Sequence, residues 1–187
     1  MLKTMRRVAI TGPESTGKTT LSRQLAAHYH TTWAPEYARA YLEDKGPSYT
    51  LPDLEEIACG QLREEELAAA EAQAQGQPVF FCDTDLLVIK VWAEHAFGQC
   101  PDWILQRISQ QHYDLVLLLN VDLPWEPDPL REHPHLRQHF FQVYQQALLD
   151  QHANFAVVSG ALEQRYEQAR SLVDELLGSQ TSMQLPN

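Results

Sequence analysis

Short apolar runs alternate with longer amphipathic segments along the chain. The runs are rich in β-branched or large apolar residues, as buried strands are, and cover residues 8–11, 31–34, 78–82, 115–119 and 155–158. Apolar residues at helical spacing predict helices over about residues 17–29, 36–42, 51–75, 86–97, 101–110, 136–149 and 162–177. This alternation predicts an α/β fold, a three-layer sandwich with a five-stranded parallel sheet between two layers of helices.

Two segments depart from this alternation. Residues 122–135 are too long for a plain connection and hold four prolines: Pro124, Pro127, Pro129 and Pro134. We expect either a functional lid or a disordered loop there, and the lid would cover about residues 122–137. Residues 179–187 are polar and are predicted to form a flexible C-terminal tail. Residues 1–178 are then expected to form a single domain.

Composition and charge narrow the range of partners. The 187 residues are 44% hydrophobic and 21% charged, which is typical of a globular protein. The net charge of −11 argues against nucleic acid and anionic membranes as partners. The apolar runs are far shorter than the roughly 20 residues of a membrane span, and no signal peptide is expected. Three cysteines without a C-x-x-C pair predict reduced thiols and a cytoplasmic protein.

The clearest motif follows the first predicted strand. Residues 12–19 fit the pattern G-x-x-x-x-G-K-[ST], in which glycines let backbone N–H groups surround phosphates at a helix N-terminus. Lys18 is predicted to reach the β- and γ-phosphates of a nucleotide, and the Thr19 hydroxyl to bind Mg²⁺. We therefore expect ATP and Mg²⁺ as cofactors, held by Gly12, Pro13, Glu14, Ser15, Thr16, Gly17, Lys18, Thr19 and Thr20.

Acidic residues follow the third and second predicted strands. Asp83, the first acid of an Asp-Thr-Asp run, stands at the Walker B position and is predicted to hold Mg²⁺. Glu36 and Arg39 follow the second strand, and ligands of open α/β sheets bind beyond the carboxyl ends of the strands. Glu36 could orient an acceptor hydroxyl and Arg39 could hold a phosphate. The alternatives are a helix cap at Asp83 or Thr84 and a surface ion pair between Glu36 and Arg39.

Two arginines of the proline-rich segment complete the predicted chemistry. Arg131 and Arg137 could neutralise the charge that develops during phosphoryl transfer, while closure of the lid excludes water. A solvated charged loop is the alternative. Ser159, after the fifth strand, lies where P-loop kinases commonly hold adenine.

Taken in order, these motifs resemble the ribosylnicotinamide kinase domain of the NadR proteins. The resemblance covers about residues 7–175 and depends on residues 12–19, 36–39, 83–85 and 125–131. It implies a kinase that transfers the γ-phosphate of ATP to the 5′-hydroxyl of nicotinamide riboside and releases nicotinamide mononucleotide. The usual Asp-Gly-x-Arg of the family's lid is Asp128-Pro129-Leu130-Arg131 here, which stiffens the lid.

The resemblance also implies a set of site residues. The catalytic residues would be Lys18, Glu36, Asp83 and Arg131. The substrate would be bound by Glu36, Tyr37, Arg39, Asp83, Asp85, Trp125 and Asp128. Thr19 and Asp83 would bind the metal, and Arg137 and Ser159 would add contacts to the nucleotide. Which of Glu36 and Asp83 positions the acceptor hydroxyl stays open.

Other functions are weighed against this one. NadR proteins carry an adenylyltransferase domain, and some a DNA-binding domain, before the kinase, and we expect both to be absent because the first strand begins close to Met1. A kinase for another nucleoside, or an ATP-binding regulatory or switch ATPase, is the alternative. A GTPase would need N-K-x-D, which residues 120–122 do not supply, and an AAA ATPase would need a further helical domain. The expected partner is a small nucleoside, while the oligomeric state, a homo-oligomer included, stays open.

Overall fold

The computed structural model describes residues 5–178, in which five strands and seven helices alternate. In chain order the elements are β1 (Arg6–Thr11), α1 (Lys18–His28), β2 (Trp33–Ala34), α2 (Tyr37–Lys45), α3 (Leu51–Ala74), β3 (Val79–Asp83), α4 (Leu86–Phe97), α5 (Asp102–Gln110), β4 (Leu115–Leu119), α6 (Arg137–Asp150), β5 (Phe155–Val158) and α7 (Leu162–Gly178). The predicted tail, residues 179–187, lies outside the described residues.

All five strands form one parallel sheet in the order β2-β3-β1-β4-β5. Strands β3 and β4 are buried along their whole length, because helices cover both faces of the sheet. The central strand β1 is in register with both neighbours, so that Ile10 lies beside Asp83 and Thr11 beside Leu118. The loops that follow β1, β3 and β4 therefore emerge together at one edge. The predicted α/β fold is confirmed.

Two helical layers enclose the sheet. On one face, α1 and α7 pack on Val8, Ile10 and Leu117. On the other face, α4 and α6 pack on Ala9 and Val116, and α3 covers the neighbouring part of β3. Helices α2 and α5 lie outside this layer, against α3 and α4. The cavity described below opens at the edge where the strands end.

Local hydrogen bonds explain where some elements start and stop. Strand β2 has two residues rather than the predicted four, and the Thr31 and Thr32 hydroxyls before it donate to the carbonyls of Val79 and Ala68. Helix α3 begins in a capping box between Thr50 and Asp53, which satisfies donors at its first turn. No helix within residues 5–178 is long and apolar enough to cross a membrane.

Candidate active site

Residues 12–17 form a tight loop between β1 and α1, at the centre of the sheet edge, and residues 18 and 19 begin α1. Gly12 has a φ of 137°, and a Cβ there would lie 2.9 Å from the carbonyl oxygen of Leu119, so only glycine fits. The backbone turns again at Gly17, with φ 85°, where α1 begins. The Lys18 ammonium donates to the carbonyl oxygens of Gly12 and Pro13, both at 3.0 Å. Loops of this kind present concave arrays of N–H groups to an anion, with the helix N-terminus behind them.

This loop forms one wall of a cavity of about 400 Å³. All of residues 12–20 line it on one side, and Glu36 and Arg39 line it where α2 begins. The side formed by α4 and α6 is largely apolar and aromatic, and residues of the lid also line the cavity. The residues of α4, α6 and the lid that line it are Val88, Val91, Trp92, His95, Phe140, Tyr144, Leu123, Pro124, Glu126, Leu130, Arg131 and His133.

Asp83 ends β3 beside this loop and is fully buried. Neither of its carboxylate oxygens has a hydrogen-bond partner of normal geometry among the described residues. Burial raises the pKa of Asp83 to about 6, and the negative charge of Glu36 adds to the rise, while Thr19, Lys18 and Arg23 oppose it. Asp83 is therefore a buried acid close to a second carboxylate, with free oxygen atoms that could bind a cation.

Asp85 has a different environment. Its carboxylate caps α4, where it accepts from the backbone N–H of Val88 at 3.2 Å, and it also accepts from the Thr11 hydroxyl at 3.4 Å. Burial raises its pKa to about 6. Neither Asp83 nor Asp85 lines the cavity. The two acids differ in their hydrogen-bond partners: the Asp85 carboxylate caps α4, whereas the Asp83 carboxylate, beside residues 12–19, has none within the described part of the chain.

Residues 120–136, which include all of the predicted lid except Arg137, have turns but no helix or strand and lie across residues 12–19. The Arg131 guanidinium donates to the Ser15 hydroxyl at 3.3 Å and to the Glu126 carbonyl. The buried Arg137 donates to the carbonyl oxygens of Ser15 at 2.8 Å and Leu123 at 3.1 Å. Both predicted arginines thus lie beside residues 12–19, and Arg131 lines the cavity.

The remaining predicted substrate residues lie at the margin of the cavity. Arg39 makes ion pairs with Asp128 of the lid at 3.2 Å and with Glu43 at 3.5 Å. The backbone N–H of Tyr37 donates to the Gln61 side chain at 3.0 Å. The ring of Trp125 lies 5.8 Å from the guanidinium carbon of Arg137. Of Tyr37, Trp125 and Asp128, none lines the cavity.

Ser159 lies in the turn after β5, where its hydroxyl accepts from the Asn120 amide at 3.1 Å. Beside this turn, sequence reasoning missed Arg165, whose side chain is 1% exposed. The Arg165 guanidinium donates to the carbonyl oxygens of Thr16, Asn120 and Gly160 and pairs with Asp122. It therefore connects the phosphate loop to the ends of β4 and β5.

Sequence reasoning also missed the aromatic side of the cavity. Trp92 lines the cavity as well as packing in the core, and its indole N–H donates to the Tyr49 hydroxyl. Phe140 and Tyr144, one turn apart on α6, face the same space. The only signal was their helical spacing, which is equally typical of a core. Within residues 5–178, no group of three His, Cys, Asp or Glu side chains could hold a metal by itself.

The fold and the loop together define a class. A parallel sheet with the G-x-x-x-x-G-K-[ST] loop at its central strand is the arrangement of P-loop nucleotide-binding proteins. A family model described as AAA domain matches residues 7–165, and the chain belongs to this family.

Two curated proteins resemble the chain over most of its length. The trifunctional NAD biosynthesis/regulator protein NadR of Salmonella typhimurium is 30% identical over 185 residues, and that of Escherichia coli is 31% identical over 183. Each alignment covers 94% of this chain but only 44% of the relative, so the chain spans less than half the length of these proteins. The predicted resemblance to NadR proteins is confirmed.

Two solved structures share the fold. The crystal structure of a NadR protein in complex with NR matches with a TM-score of 0.78 at 24% identity. The crystal structure of a NadR protein in complex with NAD and AMP-PNP matches with a TM-score of 0.76 at 23% identity. Each match covers 98% of this chain and 51% of the other, which supports the architecture of the whole described chain.

Proposed function

We propose that the protein is an ATP-dependent kinase that phosphorylates the 5′-hydroxyl of nicotinamide riboside and yields nicotinamide mononucleotide. The observation that carries the proposal is the single cavity that joins a phosphate-binding loop to an aromatic compartment containing a carboxylate. A phosphate donor and an aromatic nucleoside can meet in such a space. The identity of 30–31% to NadR proteins of NAD biosynthesis supports this choice of acceptor.

On the donor side, residues 12–20 would hold the triphosphate of ATP, with Lys18 at the β- and γ-phosphates. The adenine would lie near Ser159, in a turn that Asn120 and Gln168 hold by hydrogen bonds. Arg131 would approach the γ-phosphate from the lid, and Arg137 would hold the lid side of the loop through Ser15. Residues 1–178 would act as one kinase domain with residues 122–137 as its lid.

The side chains present fit a magnesium ion. Asp83 supplies two buried oxygen atoms without hydrogen-bond partners, and Thr19 supplies a hydroxyl from the start of α1. Mg²⁺ takes oxygen ligands and is bound through one or two protein groups together with substrate phosphates. When bound, it would neutralise charge on the transferred phosphate. We therefore assign Thr19 and Asp83 to the metal.

On the acceptor side, Glu36 lines the cavity whereas Asp83 does not. This difference favours Glu36 as the residue that orients the 5′-hydroxyl. Trp92, Phe140 and Tyr144 offer aromatic faces, which attract a cationic ring such as pyridinium. Arg39 and Asp128 would connect α2 to the lid around the bound nucleoside. Because the reaction consumes ATP, we also propose that the protein acts in the cytoplasm.

A second candidate is an ATPase without a small acceptor, and the family description, AAA domain, favours it. The two candidates differ in what limits ATP turnover. A kinase turns over ATP at its full rate only with an acceptor, whereas a switch or motor ATPase does not need one.

The deciding experiment measures ADP formation and acceptor phosphorylation with ATP, Mg²⁺ and a panel of nicotinamide riboside, thymidine, cytidine and adenosine. We expect kcat/KM for nicotinamide riboside to exceed that for the other nucleosides by about tenfold or more, a difference of about 1.4 kcal/mol. A preference for another nucleoside would refute the substrate but keep the kinase. Turnover of ATP that no acceptor stimulates would refute the kinase.

A further inference from the structure

The lid contacts residues 12–19 through two neighbouring side chains. Glu14 accepts the backbone N–H of His133 at 2.6 Å with one carboxylate oxygen and the backbone N–H of Glu132 at 3.2 Å with the other. Ser15 accepts the backbone N–H of Glu126 at 3.0 Å. The carboxylate of Glu14 is therefore occupied by the lid, although the residue belongs to the loop predicted to bind phosphate.

The lid has few hydrogen bonds of its own that would fix its position. Inside it, the backbone N–H groups of Arg131 and Leu130 donate to the carbonyl and the side chain of Asp128. The backbone N–H of Leu136 donates to the carbonyl of His133, and the Arg131 guanidinium donates to the carbonyl of Glu126. Residues 120–136 contain no helix or strand, and contacts to the rest of the chain hold the segment over the cavity. These are the hydrogen bonds to residues 14 and 15, the ion pair with Arg39, the hydrogen bond from Tyr49 to Glu132, and the packing of the His133 ring against His95 and Phe140. A hydrogen bond to a charged group is stronger than one between neutral groups, so Glu14 contributes a large share.

Glu14 also lines the cavity on the side of residues 12–20. A carboxylate without partners in that position would repel the phosphates of a nucleotide. The two N–H groups of the lid offset this repulsion, because each places a partial positive charge beside the carboxylate. Closure of the lid and binding of phosphate at the loop should therefore favour each other.

We propose that Glu14 is a positioning residue that latches the lid to the phosphate loop and so keeps water away from the γ-phosphate. The inference rests on the proposed kinase function. Its consequence is protection against a leak, which means hydrolysis of ATP by water in place of transfer to the acceptor. In the leak, the oxygen of a water molecule bonds to the γ-phosphorus while the bond to the ADP oxygen breaks, and ADP, inorganic phosphate and a proton are released.

The first test needs no substrate. Amide hydrogen exchange is measured on the ligand-free full chain, for the parent, Glu14→Ala, Glu14→Gln and the control Glu56→Ala, an exposed glutamate on α3. In Glu14→Ala, residues 126–137 should exchange about tenfold faster, because both lid N–H groups lose a charged acceptor, while β1 and α4 keep their rates. Glu14→Gln, which keeps one acceptor oxygen, should lie between. Unchanged lid exchange in Glu14→Ala overturns the latch.

The second test compares two products with ATP, Mg²⁺ and nicotinamide riboside. In Glu14→Ala the ratio of inorganic phosphate released to nicotinamide mononucleotide formed should rise at least about fivefold, with partial rescue in Glu14→Gln and none of the effect in Glu56→Ala. A purely structural role would lower both rates together. An unchanged ratio with faster lid exchange overturns the protective role. If the parent phosphorylates no nicotinamide riboside, the proposed function fails, while the exchange experiment still decides the latch.

Discussion

The two halves of the cavity are built in different ways. The phosphate half, residues 12–20, is one contiguous stretch of chain, and its shape depends on the backbone. At Gly12 the φ of 137° and the approach of Leu119 leave no room for a side chain. At the start of α1, Lys18 folds back onto two carbonyl oxygens of the same loop. This half is thus defined almost entirely by residues that are neighbours in sequence.

The acceptor half, defined here as Glu36, Trp92, His95, Phe140 and Tyr144, is assembled from three separate parts of the chain. Its members come from the start of α2 and from the helices α4 and α6, so their spacing depends on helix packing. Side chains rather than backbone supply the surface. In the proposed kinase, a change in the core between these helices would therefore alter the choice of acceptor without touching the phosphate half.

The largest effect is expected from a substitution in the phosphate half. Lys18→Ala should lower kcat by about a thousandfold, because a fixed positive charge at the transferred phosphate is lost. The fold should survive, since within residues 5–178 the ammonium bonds only to the carbonyl oxygens of Gly12 and Pro13. Coupled-enzyme kinetics and circular dichroism check both points. Parent-like turnover in a folded Lys18→Ala protein would contradict the kinase proposal.

Asp83→Asn should have the next largest effect, about a hundredfold on kcat at low Mg²⁺, with partial recovery as Mg²⁺ is raised. The same substitution should stabilise the protein at pH 7.5, by about 3 kcal/mol, because burial makes the ionised carboxylate unfavourable in the folded state. Urea unfolding of parent and variant measures the difference. A variant less stable than the parent at pH 7.5 would contradict this account of Asp83.

This gain in stability should depend on pH. The pKa of Asp83 in the folded protein, about 6, lies above its ordinary value of 3.8, so the cost of the ionised group appears as the pH rises from about 4 to above 6. The advantage of Asp83→Asn should therefore be full at pH 7.5 and disappear near pH 4. Comparing the two proteins at each pH removes the contributions of Glu65 and Asp85, whose pKa values burial also raises.

Glu36→Gln tests whether the carboxylates of Glu36 and Asp83 act in different halves of the site, Glu36 on the acceptor and Asp83 on the metal. It should raise KM for the acceptor or lower kcat by about tenfold, because the positioned hydroxyl loses its charged partner, while the Mg²⁺ response stays that of the parent. Acceptor and Mg²⁺ titrations of Glu36→Gln and Asp83→Asn check this. An exchange of phenotypes between the two variants would reverse the roles, and parent-like titrations would make Glu36 a surface residue.

The smallest effect concerns the aromatic wall. Trp92→Phe should raise KM for the acceptor about fivefold and leave KM for ATP unchanged, because a phenyl ring attracts a cationic ring less strongly than an indole does, by about 1 kcal/mol. Trp103→Phe is the matched control: Trp103 packs in the same core cluster and donates to Glu55, but it does not line the cavity. Equal effects of both substitutions on the acceptor would mean that Trp92 acts through stability alone.

The contrast between the halves also explains what the sequence could predict. Residues 12–20, which the sequence predicts to hold a nucleotide, all line the cavity, and β4, β5 and α4 have the predicted bounds, because contiguous patterns carry this information. The acceptor wall was missed because the spacing of Phe140 and Tyr144 suits a core equally well. Arg165 was missed because an arginine in an amphipathic helix is normally exposed. Its burial depends on three carbonyl groups that converge only in the folded chain.

Arg165 has a consequence for the order in which the protein matures during synthesis. It belongs to α7, the last helix described, yet it binds the carbonyl of Thr16 in the phosphate loop near the start of the chain. A nascent chain on the ribosome therefore carries the whole loop sequence long before the residue that braces the loop has been made. Nucleotide affinity should appear late in translation, and ATP would then favour completed chains over unfinished ones.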